Sequence, residues 1–533
     1  MVVEMAEDLD VVIVGAGHNG LTAGCYLARS GKRVAIVERG AKVGGMTSSG
    51  YMIPEAPQHL VTPCAVEVIF LRGTGIIEDL DLVRHGFRTV DPDPSYAYLD
   101  PDGGSIAFFR DPKRTAEDMA RFCRADGPAY LELMKVIDAM MDIGFPLMIS
   151  EPGRPRLRQM AEIAVAGIRN VRLRDELVAI TTGTADQIAC ERFQSPAAIA
   201  LLTGIAAGAG PIDDDGNAAA YMLLGLMHRL GVGRPIGSMQ TLSNALAASF
   251  REVGGTIHVD APVAEILIAD GRTQGVRLED GRVLKAGTVI ATCDPRTAFK
   301  LATPGAIERR MLVRMEHAPA NRANAAPFLT NLAMSKPLRL KRHQDMRHDD
   351  ADLNQAVGLI GTPQEVRDSY AAARRGDVAP RPAISVSPLT NWDPSQAPPG
   401  QSVAYIYLPA MPVVARDGWD NIRAQTMDSI VARVSEYYDG PDAEVGRFVE
   451  TPLERQARVN VTNGCVTHID FAAARAGGNR PAAGLSGGKP VVPGFYLGGA
   501  GTHPGGGVSG LPGKLAAARV MRQLERRPHR AGR

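Results

Sequence analysis

Four apolar residues run without a break from Val11 to Val14, and from Leu21 apolar positions recur at helical spacing through Ala23, Leu27 and Ala28 to a stop at Gly31. A second strand is expected over residues 33–37, apolar from Val34 to Val37, and ends in Glu38. Short uninterrupted runs of this kind mark strands buried on both faces. With a helix between them, they predict a βαβ unit at the start of the chain. Further on, residues 96–99, 381–387 and 402–408 alternate like strands of a second sheet, with a turn expected at residues 100–104. Residues 115–230 are mostly helical in pattern, with Ala, Leu, Met and Ile dominating. The proline-rich stretches 380–382 and 397–400 read as loops.

The first strand and the helix are joined by Gly15-Ala16-Gly17-His18-Asn19-Gly20. A glycine triplet at this spacing, in this place, is a dinucleotide fingerprint. Gly15 suits the tight turn, Gly17 admits a pyrophosphate to the backbone, and Gly20 lets helix and strand pack closely. The helix start presents unpaired N–H groups and a partial positive charge to phosphates. Glu38, ending the second strand with Arg39 after it, is placed to accept the hydroxyls of an adenosine ribose. A second glycine pair follows in Gly44-Gly45-Met46-Thr47.

That second pair resembles the extended motif of flavoproteins with two dinucleotide-binding domains, in which an arginine usually follows the glycines; here Met46 stands in its place. Near the other end, residues 494–513 read as a strand, a glycine-rich loop and a helix start. This stretch resembles the C-terminal flavin signature of the phytoene desaturase (carotenoid desaturase) group. The wording GTHPGGGVSGLPG is most similar to that group's pyridine nucleotide-disulfide oxidoreductase domain-containing protein 2 branch. Residues 254–266, with Val263, resemble the strand that clamps the adenine, and residues 287–296 the strand that closes the same domain. The resemblance implies non-covalent FAD held by Gly15, Ala16, Gly17, His18, Asn19, Gly20, Glu38, Arg39, Gly44, Gly45, Met46, Thr47, Val263, Gly501, Thr502, Gly510 and Leu511. It implies an α/β fold: a Rossmann-like FAD domain in three pieces (1–68, 231–304, 485–533) and an α+β substrate domain in two (69–230, 305–484). The activity implied is hydride removal from a hydrophobic, isoprenoid-like substrate to form a C=C bond, with oxygen or a quinone reoxidising the flavin. A flavin amine oxidase, a flavin-dependent isomerase and a non-catalytic FAD-bound interaction protein remain as alternatives.

Composition narrows the picture. The 533 residues exceed one simple core, and 45% hydrophobic with 22% charged residues is the balance of an ordinary globular enzyme. A net charge of +1 gives no reason to expect nucleic acid. The six cysteines are scattered without a CxxC pair, which argues against a disulfide framework, a metal site or a redox dithiol. The N-terminus has no basic region followed by an apolar core, and no run of about 18 apolar residues suggests a membrane span. A cytoplasmic protein is expected, peripheral on the inner face of a membrane if it contacts one. Leu157, Met160, Ala164, Ile168 and Val171 fall at helical spacing among Arg154, Arg156, Arg158, Arg169, Arg172 and Arg174, the pattern of a basic amphipathic helix. The oligomeric state is not legible.

Three histidines are candidate catalytic groups. His468 lies in Gly464-Cys465-Val466-Thr467-His468-Ile469-Asp470, just before the flavin loop, where an imidazole is placed to take a proton as hydride leaves; a structural, hydrogen-bonded role is the competing reading. His503 sits inside the glycine-rich loop, and His59 falls where relatives pass the chain beside the flavin ring. Met140, Met141, Met148, Met222 and Met227 are candidates for an adaptable apolar pocket, with core packing as the default. The helix expected from residues 508–511 is the natural electrostatic support for a reduced flavin.

Overall fold

A computed structural model describes residues 9–155, 157–471, 475–486 and 489–525. The two apolar runs at the N-terminus are strands β1 (Val11–Val14) and β2 (Val34–Val37), joined by helix α1 (His18–Arg29). The helix begins three residues earlier than the periodicity predicts, at His18 with Gly17 as N-cap. The second half of the glycine motif is therefore already helical. The apolar spacing starts only at Leu21 because His18 and Asn19 face a cavity rather than the core.

Two later stretches return to this unit. The middle one supplies α2 (Gln240–Glu252), β3 (Thr256–His258) and β4 (Val289–Ala291). The last supplies β5 (Phe495–Leu497) and α3 (Leu511–Glu525). The strands form a parallel five-stranded sheet in the order β5-β4-β1-β2-β3. Its central strand, β1, is buried along its whole length. Burying such an aliphatic side chain stabilises by about 1.5–3 kcal/mol, so β1 contributes far more than its length suggests. One face packs on α1, α2 and α3 through Leu21, Leu27, Leu242, Phe250, Ala516 and Val520. The other packs on an antiparallel three-stranded sheet, Val263–Ala269, Arg272–Leu278 and Val283–Lys285, through Ile266, Val276 and Leu284.

A second, seven-stranded sheet has the order Glu444–Glu450, Ala325–Met334, Ser402–Pro412, Ile384–Ser387, Val357–Ile360, Tyr96–Leu99, Ser105–Phe108. It is antiparallel except where Val357–Ile360 meets Tyr96–Leu99. One face carries the helices of residues 112–230, including the long Asp126–Met148 and the apolar Pro196–Ala206. The other packs on the helix Trp419–Ser435. Among the described residues no helix is long and apolar enough to cross a membrane.

Candidate functional site

A cavity of about 840 Å³ runs from the glycine motif to the seven-stranded sheet. At one end lies the start of α1. Gly15 has φ +103°, and a Cβ there would meet the Thr292 hydroxyl at 2.9 Å. That hydroxyl donates to the Val14 and Gly15 carbonyls, so β4 braces the turn. A Cβ on Gly20 would stand 2.0 Å from the Gly15 carbonyl oxygen; only glycine fits. A Cβ on Gly17, in contrast, meets nothing nearer than the Gly44 carbonyl at 3.9 Å, leaving its backbone open to the cavity. Among the described residues no side chain caps α1 and no acid occupies its first turn, so its leading N–H groups are unpaired by side chains and its positive end is not neutralised.

Glu38 faces the same space from the end of β2. Its carboxylate accepts from the Ala16 N–H (2.8 Å) and the Gly40 N–H (2.9 Å), which fixes it while leaving lone pairs free. The Glu38 carbonyl accepts from the Ala261 N–H at 2.8 Å, tying in the segment that brings Val263 to the cavity wall. Arg39 also lines the cavity, but its guanidinium donates to the Ala457 and Arg458 carbonyls (2.6 and 2.7 Å), capping the helix Pro452–Val459. In the glycine pair, Gly45 and Met46 line the cavity. Gly44 instead donates to the Ala16 carbonyl, and the buried Thr47 bonds Gly44 and Ser243.

In the C-terminal piece, the loop residues Gly506, Gly507 and Val508 reach the cavity. Gly501, Thr502, Gly510 and Leu511 do not: Gly501 packs on Pro295, Thr502 bonds the Gly499 carbonyl, Gly510 fits against Ile76, and Leu511 is core. The helix α3 starts at Leu511, beyond the residues that meet the cavity, so the loop rather than the helix end lies closest to a ligand.

The three histidines separate. His468 lines the cavity with φ +64° and Nδ1 unpartnered among the described residues. Burial lowers its pKa; Asp294 opposes this, while Arg480 and Arg296 reinforce it. His18 stands on the same wall, with its pKa pushed down to about 4 by burial and by His468. His468 therefore keeps company with the start of α1 and the end of β4. His503 does not reach the cavity; it lies buried against the backbone of Leu147, Met148 and Ser150, its pKa pushed down to about 4 chiefly by burial. His59 is likewise outside it, buried beside Ala56 and Met334. Neither of these two candidate histidines lines the cavity. In each case, sequence proximity to a motif does not fix the direction of the side chain.

A family model described as flavin containing amine oxidoreductase matches residues 20–521. The chain belongs to that family. It is 26% identical to pyridine nucleotide-disulfide oxidoreductase domain-containing protein 2 of Mus musculus, over 97% of this chain and 94% of the relative. It is 25% identical to a subunit of the limonene dehydrogenase of Castellaniella defragrans (97% and 95% covered). It is 23% identical to a lycopene-forming phytoene desaturase of Pseudescherichia vulneris (96% and 98%). Among solved structures it shares its fold with the cyclohexylamine oxidase of Brevibacterium oxydans, with TM-score 0.59 and 16% identity over 98% and 100% of the two chains. The protein is an FAD-dependent oxidoreductase.

The family's cofactor fits what the residues offer. The open Gly17 backbone and uncapped start of α1 suit a diphosphate, Glu38 suits a ribose, and Asn19 is part of the same cavity wall. Cys465 is buried outside the cavity with its thiol beside Thr467 and Asp470, and burial pushes its pKa up to about 12, so it is not placed or activated to attach a flavin. At the far end, Met52, Cys64, Ala65, Leu329, Tyr405 and Tyr407 form an apolar and aromatic wall. Tyr405 and Tyr407 come from one face of the strand Ser402–Pro412, which the alternating pattern announces without showing that it borders a cavity. The methionines proposed for the pocket are not there: Met140, Met141 and Met227 are core, Met222 packs on it, and Met148 is not on the cavity wall.

Glu38→Ala should weaken FAD binding by about 1.5–3 kcal/mol, a rise in Kd of roughly 10- to 150-fold, as for a lost hydrogen bond to a charged group. Titration of FAD into the deflavinated variant checks this; an unchanged Kd removes Glu38 from the ribose.

Proposed function

We propose that the enzyme oxidises a hydrophobic, isoprenoid-like substrate by hydride removal, forming a C=C bond. The observation that carries this reading is the composition of the cavity's far end. Its wall of Met52, Cys64, Ala65, Leu329, Tyr405 and Tyr407 offers broad apolar contact. The acids that line the cavity, Glu38, Glu279 and Asp294, come from the segments of the parallel and three-stranded sheets. Glu38 and Asp294 are committed to backbone N–H groups. Arg458 also lines the cavity, held by Glu450 and electrostatically coupled to Cys64 of the apolar wall. A cation there disfavours an ammonium substrate, which sets this site against the amine oxidase alternative.

FAD, when bound, accepts the hydride equivalent and passes the electrons on to oxygen or a quinone. The chain orients the substrate between aromatic and aliphatic walls, excludes water, and presents the Gly506–Val508 backbone from a loop whose glycines clear Thr467 and Phe70. No carboxylate, lysine or histidine among the described residues stands in that apolar wall. Of the three candidate histidines, His468 is the one that lines the same cavity, outside that wall.

A substrate of this kind reaches the enzyme from a lipid phase, and the helix Leu157–Arg169 with its following turn is the surface that fits one. Leu157 is 87% exposed, Ile168 76% and Val171 63%, with Met160 and Val165 beside them. Arg154, Arg158, Arg169, Arg172 and Arg174 flank this stripe, outnumbering Glu162, Asp175 and Glu176. An apolar stripe bordered by net positive charge complements an anionic bilayer surface. Arg156 belongs to the same sequence pattern but lies outside the described residues.

Under anaerobic conditions a linear isoprenoid polyene should bleach the bound flavin at least tenfold faster than an aliphatic amine of similar length; the reverse order returns the site to amine oxidation. The protein should co-sediment with vesicles containing phosphatidylglycerol, and Leu157→Gln with Ile168→Gln should abolish this while leaving FAD content unchanged. Equal sedimentation of the double variant would clear this helix of the role.

A further inference from the structure

The start of α3 lies beyond the cavity, yet a positive charge stands directly behind the same wall. It belongs to Arg480, which is 1% exposed. The guanidinium donates to the carbonyls of Thr467 (2.9 Å), Ile469 (2.8 Å), Asp470 (3.2 Å) and Ala500 (3.2 Å). Thr467, His468 and Ala500 all line the cavity. The first three bonds bracket His468 and hold its left-handed backbone, φ +64°. The bond to Ala500 ties that turn to the C-terminal loop. A Cβ on Gly505 would stand 3.2 Å from the Arg480 Nε, so the guanidinium also packs on the residue just before Gly506–Val508. It lies over the ring of Phe471, 5.0 Å from the centroid.

A buried guanidinium is ordinarily neutralised by a carboxylate, as Arg455 is by Glu450 and Arg347 by Asp118. Among the described residues every hydrogen bond of Arg480 goes instead to a main-chain carbonyl. The Asp470 carboxylate is turned to the Asn321 and Arg322 N–H groups (2.6 and 3.3 Å). Burial pulls the Arg480 pKa down to about 10, with Cys465 and Asp470 opposing, so the group stays charged near neutrality. Of the charged side chains acting on His468, Asp294 and Arg296 oppose each other, which leaves Arg480 as the surplus. A cation that is costly to bury and has no carboxylate bonded to it suits a site whose counter-charge forms only during the reaction.

We propose that Arg480 is the electrostatic support of the reduced flavin: it fixes the turn around His468 against the C-terminal loop and favours the negative charge that reduction places on the ring. Hydride transfer carries two electrons and one proton from the substrate C–H to the ring, which gains one net negative charge. The substrate's second proton is released to solvent, and oxygen or a quinone later takes the electrons. The proposal rests on the flavin ring lying beside Gly506–Val508, and it holds whichever substrate reduces the ring.

The test is a redox titration of FAD-loaded wild type, Arg480→Met and Arg480→Lys against indicator dyes, with a chemical reductant in place of substrate. Arg480→Met should lower the ratio of reduced to oxidised flavin at a fixed potential by at least about tenfold, ~30 mV for a two-electron couple. Arg480→Lys keeps the charge and loses the planar fork, and should stay within about threefold of wild type. Equal potentials in all three proteins overturn the proposal, as does a lysine variant no better than the methionine one. If Arg480→Met does not fold, the wild type decides. At pH 6 its reduced flavin should keep the absorption spectrum of the anionic ring, while reduced free FAD in the same buffer shows the neutral one. A neutral spectrum in the protein overturns the role of Arg480 and leaves the cofactor site standing. Failure of the wild-type chain to bind FAD overturns the site itself, and the proposal with it.

Discussion

Three glycines make the backbone contact on which the rest of the structure depends. Gly20 rests on the Gly15 carbonyl, and a Cβ at Gly513 would stand 2.0 Å from the Asn19 carbonyl oxygen. The first pair presses α1 onto the turn after β1; the second lets α3, from the far end of the chain, cross the first turn of α1 with backbone nearly touching backbone. These contacts bring the loop Gly506–Val508 to the same cavity as the glycine motif, across almost five hundred residues of sequence. A side chain at any of these places would push the two ends of the dinucleotide site apart.

Around that contact the cavity is electrically polarised. One end carries helix N–H groups, orphaned amide and imidazole atoms, and a carboxylate held by backbone; the other is apolar and aromatic, with Arg458 at the junction. The first end is built for a charged, hydroxyl-rich ligand and the second for one that water solvates poorly. The oxidation of a lipophilic substrate proposed above needs both in one continuous space.

The parallel sheet and a dinucleotide site were legible from the chain because they depend on local rules, whereas FAD as the dinucleotide was implied by the resemblance of the second glycine pair and the C-terminal loop. A buried strand must be apolar, a tight turn must be glycine, and a helix start must be uncapped where it meets phosphate. Gly15, Gly17, Gly45, Glu38 and Val263 accordingly line the cavity. What was not legible depends on long-range direction. His503 sits in the flavin loop by sequence, yet turns toward the end of Asp126–Met148. Tyr405 and Tyr407 announce only a strand, and become cavity wall because Leu329, on the neighbouring strand, lies beside them across the sheet. Arg39 follows the ribose acid in sequence and serves as a helix cap. Periodicity tells which face of an element is buried, not which neighbour buries it.

The most direct test is a crystal structure of the protein with its FAD. This account predicts one dinucleotide in the cavity, its diphosphate against Gly17, His18 and Asn19, its adenosine ribose on Glu38, and its ring system between the Gly506–Val508 loop and the apolar wall of Tyr405 and Tyr407. Density for the diphosphate away from the start of α1, or for the ring away from the C-terminal loop, would contradict it.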